Sequence, residues 1–263
     1  MGRERRRLLI AQERLLAATA ADSGLPRLVL TNEESHYVSR VLRLRQDQEL
    51  AIINGRGQLW GARVAEAAGR RIHVDLLQPI QTPECDQPGP SLTISLAIAL
   101  PRRDSDLLLR MACELGVDRL QPLIADHSVL AERFQRQRLE AILREATEQC
   151  ERLWLPSLAD PCPGSVWLER SDQGLRLLAT TRRGHLPGPI EQLRKDQGRS
   201  GDLVLAIGPE GGWSEREEER AEASGWQPVS LTTTILRTST AAVAGIALLS
   251  HWRDLLQGSE AIR

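Results

Sequence analysis

Apolar and polar positions change rhythm near the first third of the chain. Up to about Thr82 the apolar stretches are short. Leu28-Val29-Leu30, Glu49 to Ile53, Gln58 to Ala65 and Arg71 to Leu77 read as strands, and turn signals such as Gly55-Arg56-Gly57 join the last three as hairpins. Leu8-Leu9-Ile10 fits either a strand or the first turn of a helix through Ala21, since periodicity does not separate the two. Thr31-Asn32-Glu33-Glu34 has the form of a helix start, with His36 to Val41 as a short helix. So many short strands in so few residues predict a small β-barrel.

From Leu92 onward strands and helices alternate. Leu92 to Leu100 suits a buried strand that Pro101 stops. Asp104 is placed to cap a helix with Leu107, Leu108, Met111, Ala112 and Leu115 on its apolar face and Gly116 at its end. Arg119 to Ile124 is the next strand. A helix from about Glu132 to Gln149 follows, with Leu139, Ile142, Leu143 and Ala146 aligned, and then strands at Leu175 to Thr180 and Leu203 to Ile207. This order predicts an α/β domain with a mainly parallel sheet. Gln81 to Pro90 holds three prolines and one glycine, which neither neighbour's ladder accommodates. The expected division is therefore 1–82, a linker at 83–90, and 91–263.

Two strand-to-loop transitions stand out in the second domain. Leu203 to Ile207 breaks at Gly208-Pro209-Glu210-Gly211-Gly212, and Pro228 to Leu231 gives way to a Thr-rich turn, then Ile235-Leu236-Arg237-Thr238. In parallel sheets ligands lie beyond the carboxyl ends of strands. Glycines there admit close approach, while Pro209 stiffens the turn. No G-x-G-x-x-G or G-K-[ST] occurs at this loop, and Glu210 would repel a polyphosphate, so a neutral or cationic ligand fits better. Ser214 with Glu217 forms a capping box, and Glu215, Glu217 and Glu218 suit the positive end of the helix that Gly225 terminates. The run Ala241 to Leu249 is apolar nearly all round, so that helix is buried on more than one side, in its own core or in a subunit interface.

Charge adds one asymmetry. The total is nearly balanced, 34 basic against 35 acidic residues, yet residues 1–82 carry 13 Lys and Arg against 9 Asp and Glu. A basic first domain permits nucleic-acid contact. Within it Arg40, Arg43 and Arg45 surround Val41-Leu42-Arg43-Leu44, readable as a solvated face or as a phosphate-facing strip. The four cysteines, Cys85, Cys113, Cys150 and Cys162, are far apart, without C-x-x-C or histidines at metal spacing, so no metal site is expected. The N-terminus lacks a signal-peptide core and no apolar run reaches the length of a membrane span, so the expectation is a cytoplasmic protein with free thiols and no membrane partner.

Together these residues resemble the RsmE family of ribosomal RNA methyltransferases, of the SPOUT superfamily. The motifs that carry the resemblance are Ile207-Gly208-Pro209-Glu210-Gly211-Gly212-Trp213-Ser214 and Ile235-Leu236-Arg237-Thr238-Ser239-Thr240-Ala241. Supporting motifs are Glu114-Leu115-Gly116-Val117-Asp118, Glu148-Gln149 with Arg152, and Val41-Leu42-Arg43-Leu44. The resemblance implies a PUA-like RNA-binding barrel, then a SPOUT domain with a deep trefoil knot, and a homodimer. It implies S-adenosyl-L-methionine as cofactor and N3 of a uridine in 16S ribosomal RNA as target, in free RNA or the assembled small subunit. It places Gly208, Pro209, Glu210, Gly211, Gly212, Leu231, Ile235, Leu236 and Thr240 around the cofactor, Arg237 and Glu210 at the chemistry, and Arg7, Arg40, Arg43, Arg102 and Arg152 on RNA. Four positions depart from the family pattern: Ser239 stands where Glu is usual, Thr232 where Gly is usual, Arg102-Arg103 where Lys-Gly is common, and Cys150-Glu151 where Ser-Gly is usual.

Uracil N3 carries a proton, so its methylation needs alignment and deprotonation. Glu210, or a water it positions, is the expected acceptor, and Arg237 the expected partner of charge developing on the uracil oxygens. Two other readings remain compatible with the residues: a non-catalytic RNA-binding or ribosome-assembly protein of the same fold, and a SPOUT methyltransferase acting on transfer RNA.

Overall fold

The computed structural model describes residues 6–20, 26–68, 71–81, 92–128, 134–170, 174–197 and 201–260. They divide into two compact units: residues 1–89 with Arg144–Leu155, and residues 90–143 with 156–263.

The first unit is built on a five-stranded sheet. In chain order it contains β1 (Arg7–Leu9), α1 (Gln12–Thr19), β2 (Arg27–Val29), α2 (Asn32–His36), β3 (Glu49–Ile53), β4 (Leu59–Ala68) and β5 (Arg71–Gln81), and a π-helical turn, Tyr37–Val41, extends α2. The ambiguous Leu8 segment resolves as both alternatives in succession, a strand and then a helix. Sheet order is β1-β3-β4-β5-β2, with β1 parallel to β3 and the other pairs antiparallel. Leu8, Leu28, Leu50, Ile52, Val64, Val74 and Leu76 form its core, and β3 is buried at four successive positions, so both its faces are covered. The expected helix start holds: Thr31 Oγ1 accepts from Glu34 N at 3.2 Å, and the Glu34 carboxylate accepts from Thr31 N at 2.8 Å.

Residues Arg144–Leu155, which the expected boundary assigns to the second domain, cluster with the first unit. The reason is polar. Leu9 N donates to Glu148 Oε1 at 2.7 Å and Arg144 Nη1 donates to the Leu9 carbonyl at 2.9 Å, so two side chains satisfy the outer backbone edge of β1. Glu148 is only 9% exposed, and that burial pushes its carboxyl up to about 7, against the opposing pull of the Leu9 amide and Arg144. Of the proposed linker, Gln81 is the last residue of β5, and 82–90 lies outside the described residues.

The second unit is an α/β layer structure. It comprises β6 (Thr93–Ile98), α3 (Ser105–Glu114), β7 (Arg119–Ile124), α4 (Arg136–Gln149, whose last turns join the first unit), β8 (Ser157–Leu158), β9 (Cys162–Pro163) and α5 (Gly164–Leu168). It continues with β10 (Leu175–Ala179), α6 (Pro189–Asp196), β11 (Asp202–Ile207), α7 (Glu215–Ala223), β12 (Gln227–Val229) and α8 (Thr238–Glu260). The order is β12-β10-β11-β6-β7-β8, with β9 beside β7, and every pair is parallel. α8 packs on β6 and β11 and against α3 and α6, whereas Trp167, Trp213, Ala221 and Trp226 bury the face reached by Val204 and Ala206. Consecutive β11 side chains thus feed two different cores.

Two local expectations need correction. Asp104 occupies the position before α3, yet its backbone is left-handed (φ 67°) and its side chain makes no capping bond. The buried face of α3 is Leu108, Leu109, Ala112 and Cys113, while Leu107 is 48% exposed. Three consecutive leucines leave the helical phase open, and packing chooses one residue later than periodicity alone suggests. α4 begins at Arg136; the earlier part of its expected range, through residue 133, lies outside the described residues. Gly116 (φ 96°) and Gly225 (φ 90°) end their helices as expected. Cys113, Cys150 and Cys162 are free thiols, and Cys85 lies outside the described residues. Among the described residues no helix is long and apolar enough to cross a membrane.

Candidate cofactor pocket

The carboxyl ends of β10, β11 and β12 open into one cavity of about 510 Å³. The glycine loop Gly208 to Gly212 forms one wall, and Ser230 to Thr238 with the first turn of α8 forms the other. The walls are tied together where Thr238 Oγ1 donates to the Gly208 carbonyl at 3.2 Å.

The loop has little freedom on its protein side. Gly212 N bonds to the Pro209 carbonyl at 2.9 Å, closing a turn with Glu210 and Gly211 at its corners. A Cβ on Gly208 would meet the Trp213 ring at 3.1 Å, and one on Gly211 would lie 2.9 Å from His127 Cβ. Trp213 is fixed in turn, its Nε1 donating to the Ala179 carbonyl at 3.0 Å. Gly212 differs: its φ of 79° is one that L side chains rarely adopt, and a Cβ there would meet nothing within 4 Å. The glycines therefore press one side of the loop against tryptophan and histidine and leave backbone exposed on the other.

A latch from the loop after β7 sets the angle of this turn. His127 Nδ1 lies 3.1 Å from the Gly212 carbonyl, Ser214 Oγ donates to Asp126 Oδ2 at 2.6 Å, and Asp126 N donates to Glu217 Oε1 at 3.0 Å. The expected capping box of α7 is present, with Glu217 N to Ser214 Oγ at 3.2 Å and Ser214 N to Glu217 Oε2 at 2.9 Å. Gly245, in α8, lets that helix close on the strand beneath the cavity, since a Cβ there would stand 2.3 Å from Leu205 Cδ2.

The structure brings together Gly208, Pro209, Glu210, Gly211, Gly212, Leu231, Ile235, Leu236 and Arg237. Thr240 does not line the cavity and is exposed. Thr238 and Ala241, three residues apart, share the inward face of α8, and Thr240 falls about 100° away from Ala241. Glu210 is exposed and its Oε1 accepts from Arg102 N at 3.3 Å. Arg237 is exposed, and among the described residues its guanidinium has no hydrogen-bond or ion-pair partner. The lining also holds Arg182, exposed and likewise without a partner among the described residues, and the carboxylates Glu215 and Glu218, so Glu210 and Arg237 are the two charged side chains contributed by the glycine loop and the segment before α8.

Sequence reasoning missed the third side, Ala179 to Arg183. Thr180 Oγ1 donates to Glu218 Oε1, and Arg183 pairs with Glu218 at 3.3 Å and with Glu222. Glu218 therefore braces a loop as well as the helix start. The same carboxyl-end rule that singled out the glycine loop applied to Thr180-Thr181-Arg182-Arg183 at the end of β10.

The arginines expected on RNA occupy unlike settings. Arg7 is largely covered, bonded to the Glu151 carbonyl and 3.1 Å from its carboxylate, so its charge is engaged within the first unit. Arg40 and Arg43 are exposed beside an exposed Val41, and Arg43 has a left-handed backbone (φ 55°). Arg152 is half-buried, and Arg102 lies beside Glu210. Among the described residues no group of His, Cys, Asp and Glu is placed to hold a metal ion.

Both units of the chain match known proteins. Residues 88–250 match the RNA methyltransferase domain and residues 30–77 the RNA methyltransferase PUA domain. The ribosomal RNA small subunit methyltransferase E of Synechocystis is 34% identical over 249 residues, 93% of this chain and 77% of that protein. The chain belongs to the ribosomal RNA small subunit methyltransferase E family. Its Bacillus subtilis member is 25% identical over 246 residues, 89% of this chain and 94% of that one. The crystal structure of the Neisseria gonorrhoeae member, bound to S-adenosyl methionine, matches with a TM-score of 0.78 and 25% identity over 94% of this chain and 98% of that one. Membership makes this an RNA methyltransferase of α/β class with an N-terminal PUA domain.

The cavity suits a cofactor of that type. About 510 Å³ lies within the usual range of small-molecule sites, and Gly208 and Gly211 let the loop pack against Trp213 and His127 where a Cβ would collide. Gly208 to Gly212 and Leu231 to Thr238 are the segments that would hold it.

Proposed function

We propose that this protein methylates N3 of a uridine in 16S ribosomal RNA of the small subunit, with S-adenosyl-L-methionine as methyl donor. One observation carries the reading: an exposed Arg237 with no hydrogen-bond or ion-pair partner among the described residues and an exposed Glu210 line the same cavity in a chain of this family.

When bound, the cofactor supplies an electrophilic methyl group. The protein then has two tasks. The backbone of Gly208 to Gly212 and of Leu231 to Leu236 fixes the donor in line with the base, and Glu210 accepts the proton that N3 must lose, directly or through one water. As the proton leaves, negative charge spreads to the uracil oxygens, and the Arg237 guanidinium stabilises it. The N3 electron pair freed by that proton loss would take up the methyl group that the cofactor supplies, its sulfur departing as a neutral thioether. Arg102 N, 3.3 Å from Glu210 Oε1, points the carboxylate at the rim.

The reading includes a homodimer, a cytoplasmic location, RNA contact through Arg40, Arg43, Arg102 and Arg152, and the trefoil knot of SPOUT proteins. In support of the knot, the chain leaves β12 at one sheet edge and then packs α8 on β6 and β11 at the sheet centre. Two measurements test the function. Mass spectrometry of small-subunit ribosomal RNA from cells lacking the protein should show one N3-methyluridine missing, and an unchanged modification pattern would overturn the assignment. Arg237→Ala should lower methyl transfer about a hundredfold or more while calorimetry still detects cofactor binding; unchanged turnover would remove Arg237 from the chemistry.

A further inference from the structure

A second cavity of about 680 Å³ opens beyond the carboxyl ends of β6 and β7, between the start of α3 and the start of α4. It adjoins the cofactor pocket, because Arg102 lines it and the Arg102 backbone N–H is the group bonded to Glu210. The mechanism above does not use it.

Its lining has three distinct parts. The floor is apolar: Leu107, at 48% exposure, and Ile124, at 37%, face the space instead of the core. One wall is Phe134, the sole phenylalanine of the chain. That ring is held in place, for the Arg136 guanidinium stands 5.9 Å over it and is itself fixed to Asp160 at 2.7 Å, Glu140 at 2.8 Å and the Leu158 carbonyl at 3.0 Å. The rim carries two cations and two anions. Arg138 and Asp106 neutralise each other, whereas the side chains of Arg102 and Asp104 have no hydrogen-bond or ion-pair partner among the described residues.

That combination selects among ligands. A phosphate-binding surface needs a surplus of positive charge, which two arginines against two aspartates do not give. An unpaired nucleobase has the complementary chemistry: a flat face to stack on an aromatic ring and an edge bearing both donors and acceptors. Asp104 accepts from such an edge and Arg102 donates to it. The left-handed backbone of Asp104, which forgoes the helix cap, leaves its carboxylate free for this.

We propose that this cavity takes one unpaired base of the RNA substrate, next to the nucleotide being methylated. The base stacks on Phe134, its edge lies between Asp104 and Arg102, and the neighbouring nucleotide is thereby directed past Glu210 into the methyl-transfer site. The inference rests on the methyltransferase reading and deepens it.

The test compares the full-length wild type with Phe134→Ala and, to preserve packing, Asp104→Asn, since asparagine also tolerates the left-handed conformation. The probes are small-subunit ribosomal RNA for turnover and a short oligouridylate, with its abasic counterpart, for binding. Phe134→Ala should raise KM for RNA and weaken oligouridylate binding about tenfold. Its affinity for S-adenosyl-L-methionine, its affinity for the abasic oligomer and the salt dependence of binding should match the wild type. Asp104→Asn should raise KM severalfold. A wild type that transfers no methyl group to the RNA would sink the functional reading itself. A wild type that does, beside two variants with unchanged KM and oligouridylate affinity, sinks this inference alone. Equal weakening toward the abasic oligomer, or a shallower salt dependence, would make the cavity a backbone site. A change of oligomeric state on sedimentation of Phe134→Ala would mark it as an interface with a second copy; either result overturns the base site.

Discussion

Replacing Glu148 by Gln should remove a specific pH dependence from the stability of this protein. Glu148 is 9% exposed and accepts from Leu9 N at 2.7 Å, and burial holds its carboxyl at about 7 against an ordinary value of 4.5. The Leu9 amide and Arg144 pull that value down, while Glu145 and Glu34 push it further up. In the unfolded chain the carboxyl reverts to its ordinary value. Between pH 4.5 and about 7 the unfolded state therefore releases a proton that the folded state keeps, so stability falls as pH rises through that window and is flat above it. At about 1.4 kcal/mol per pKa unit the fall is on the order of 3 kcal/mol. Glutamine keeps an acceptor oxygen for Leu9 N but has nothing to ionise. Urea unfolding of both chains, followed from below to above this window, isolates the contribution, because all other titrating groups are shared. The Glu148→Gln chain should match the wild type at the acid end and exceed it by about that amount at the alkaline end. Parallel stability curves for the two chains would refute the assignment of a protonated, buried Glu148.

Three further outcomes follow from the second unit. Ser214→Ala removes the cap of α7 and the bond to Asp126, and should cost about 1–2 kcal/mol in thermal or denaturant unfolding; no loss would mean that water replaces the cap without penalty. Gly211→Ala sets a Cβ 2.9 Å from His127 Cβ, forcing the latch to the Gly212 carbonyl apart, and should weaken S-adenosyl-L-methionine binding about tenfold by calorimetry. Wild-type affinity would show that the loop shifts without consequence. Arg253→Met breaks an ion pair with Asp118 at 2.7 Å, with both side chains nearly buried, and removes the bond to the Gly116 carbonyl. A loss of roughly 3–5 kcal/mol is expected on unfolding, and a change below about 1 kcal/mol would place the pair in solvent.

Much of the molecule was legible in the residues because its signals are local. The two capping boxes, Thr31 with Glu34 and Ser214 with Glu217, need only three residues of separation, and both are present. The longer strands of the parallel sheet, β6, β7, β10 and β11, are apolar runs that lie within a residue or two of their expected bounds, whereas the two-residue β8 and β9 carry no such signal and β12 begins and ends earlier than the Pro228 to Leu231 run. The glycine loop announced a ligand because positive φ and close approach are properties of the residue itself. The family motifs joined that loop to Leu231 and Arg237, and one cavity contains them all.

What packing alone decided involves competition between distant segments. Three successive leucines allow several phases for α3, and only the sheet beneath chooses Leu108 and Leu109 for burial and turns Leu107 toward the second cavity. Thr240 lies in a motif whose neighbours face the cofactor pocket, but the phase of α8 points it elsewhere. Residues 144–155 read as the end of a helix in the second domain, yet the Leu9 backbone, more than a hundred residues earlier, claims Glu148 and Arg144. His127, Asp126 and Phe134 carry no motif at all; their significance comes from what the fold places against them, Gly212, Ser214 and Arg136. Backbone preferences and capping act over a few residues and are written in the sequence, whereas helix phase, buried charge and the shape of a cavity depend on which distant surfaces exclude water together.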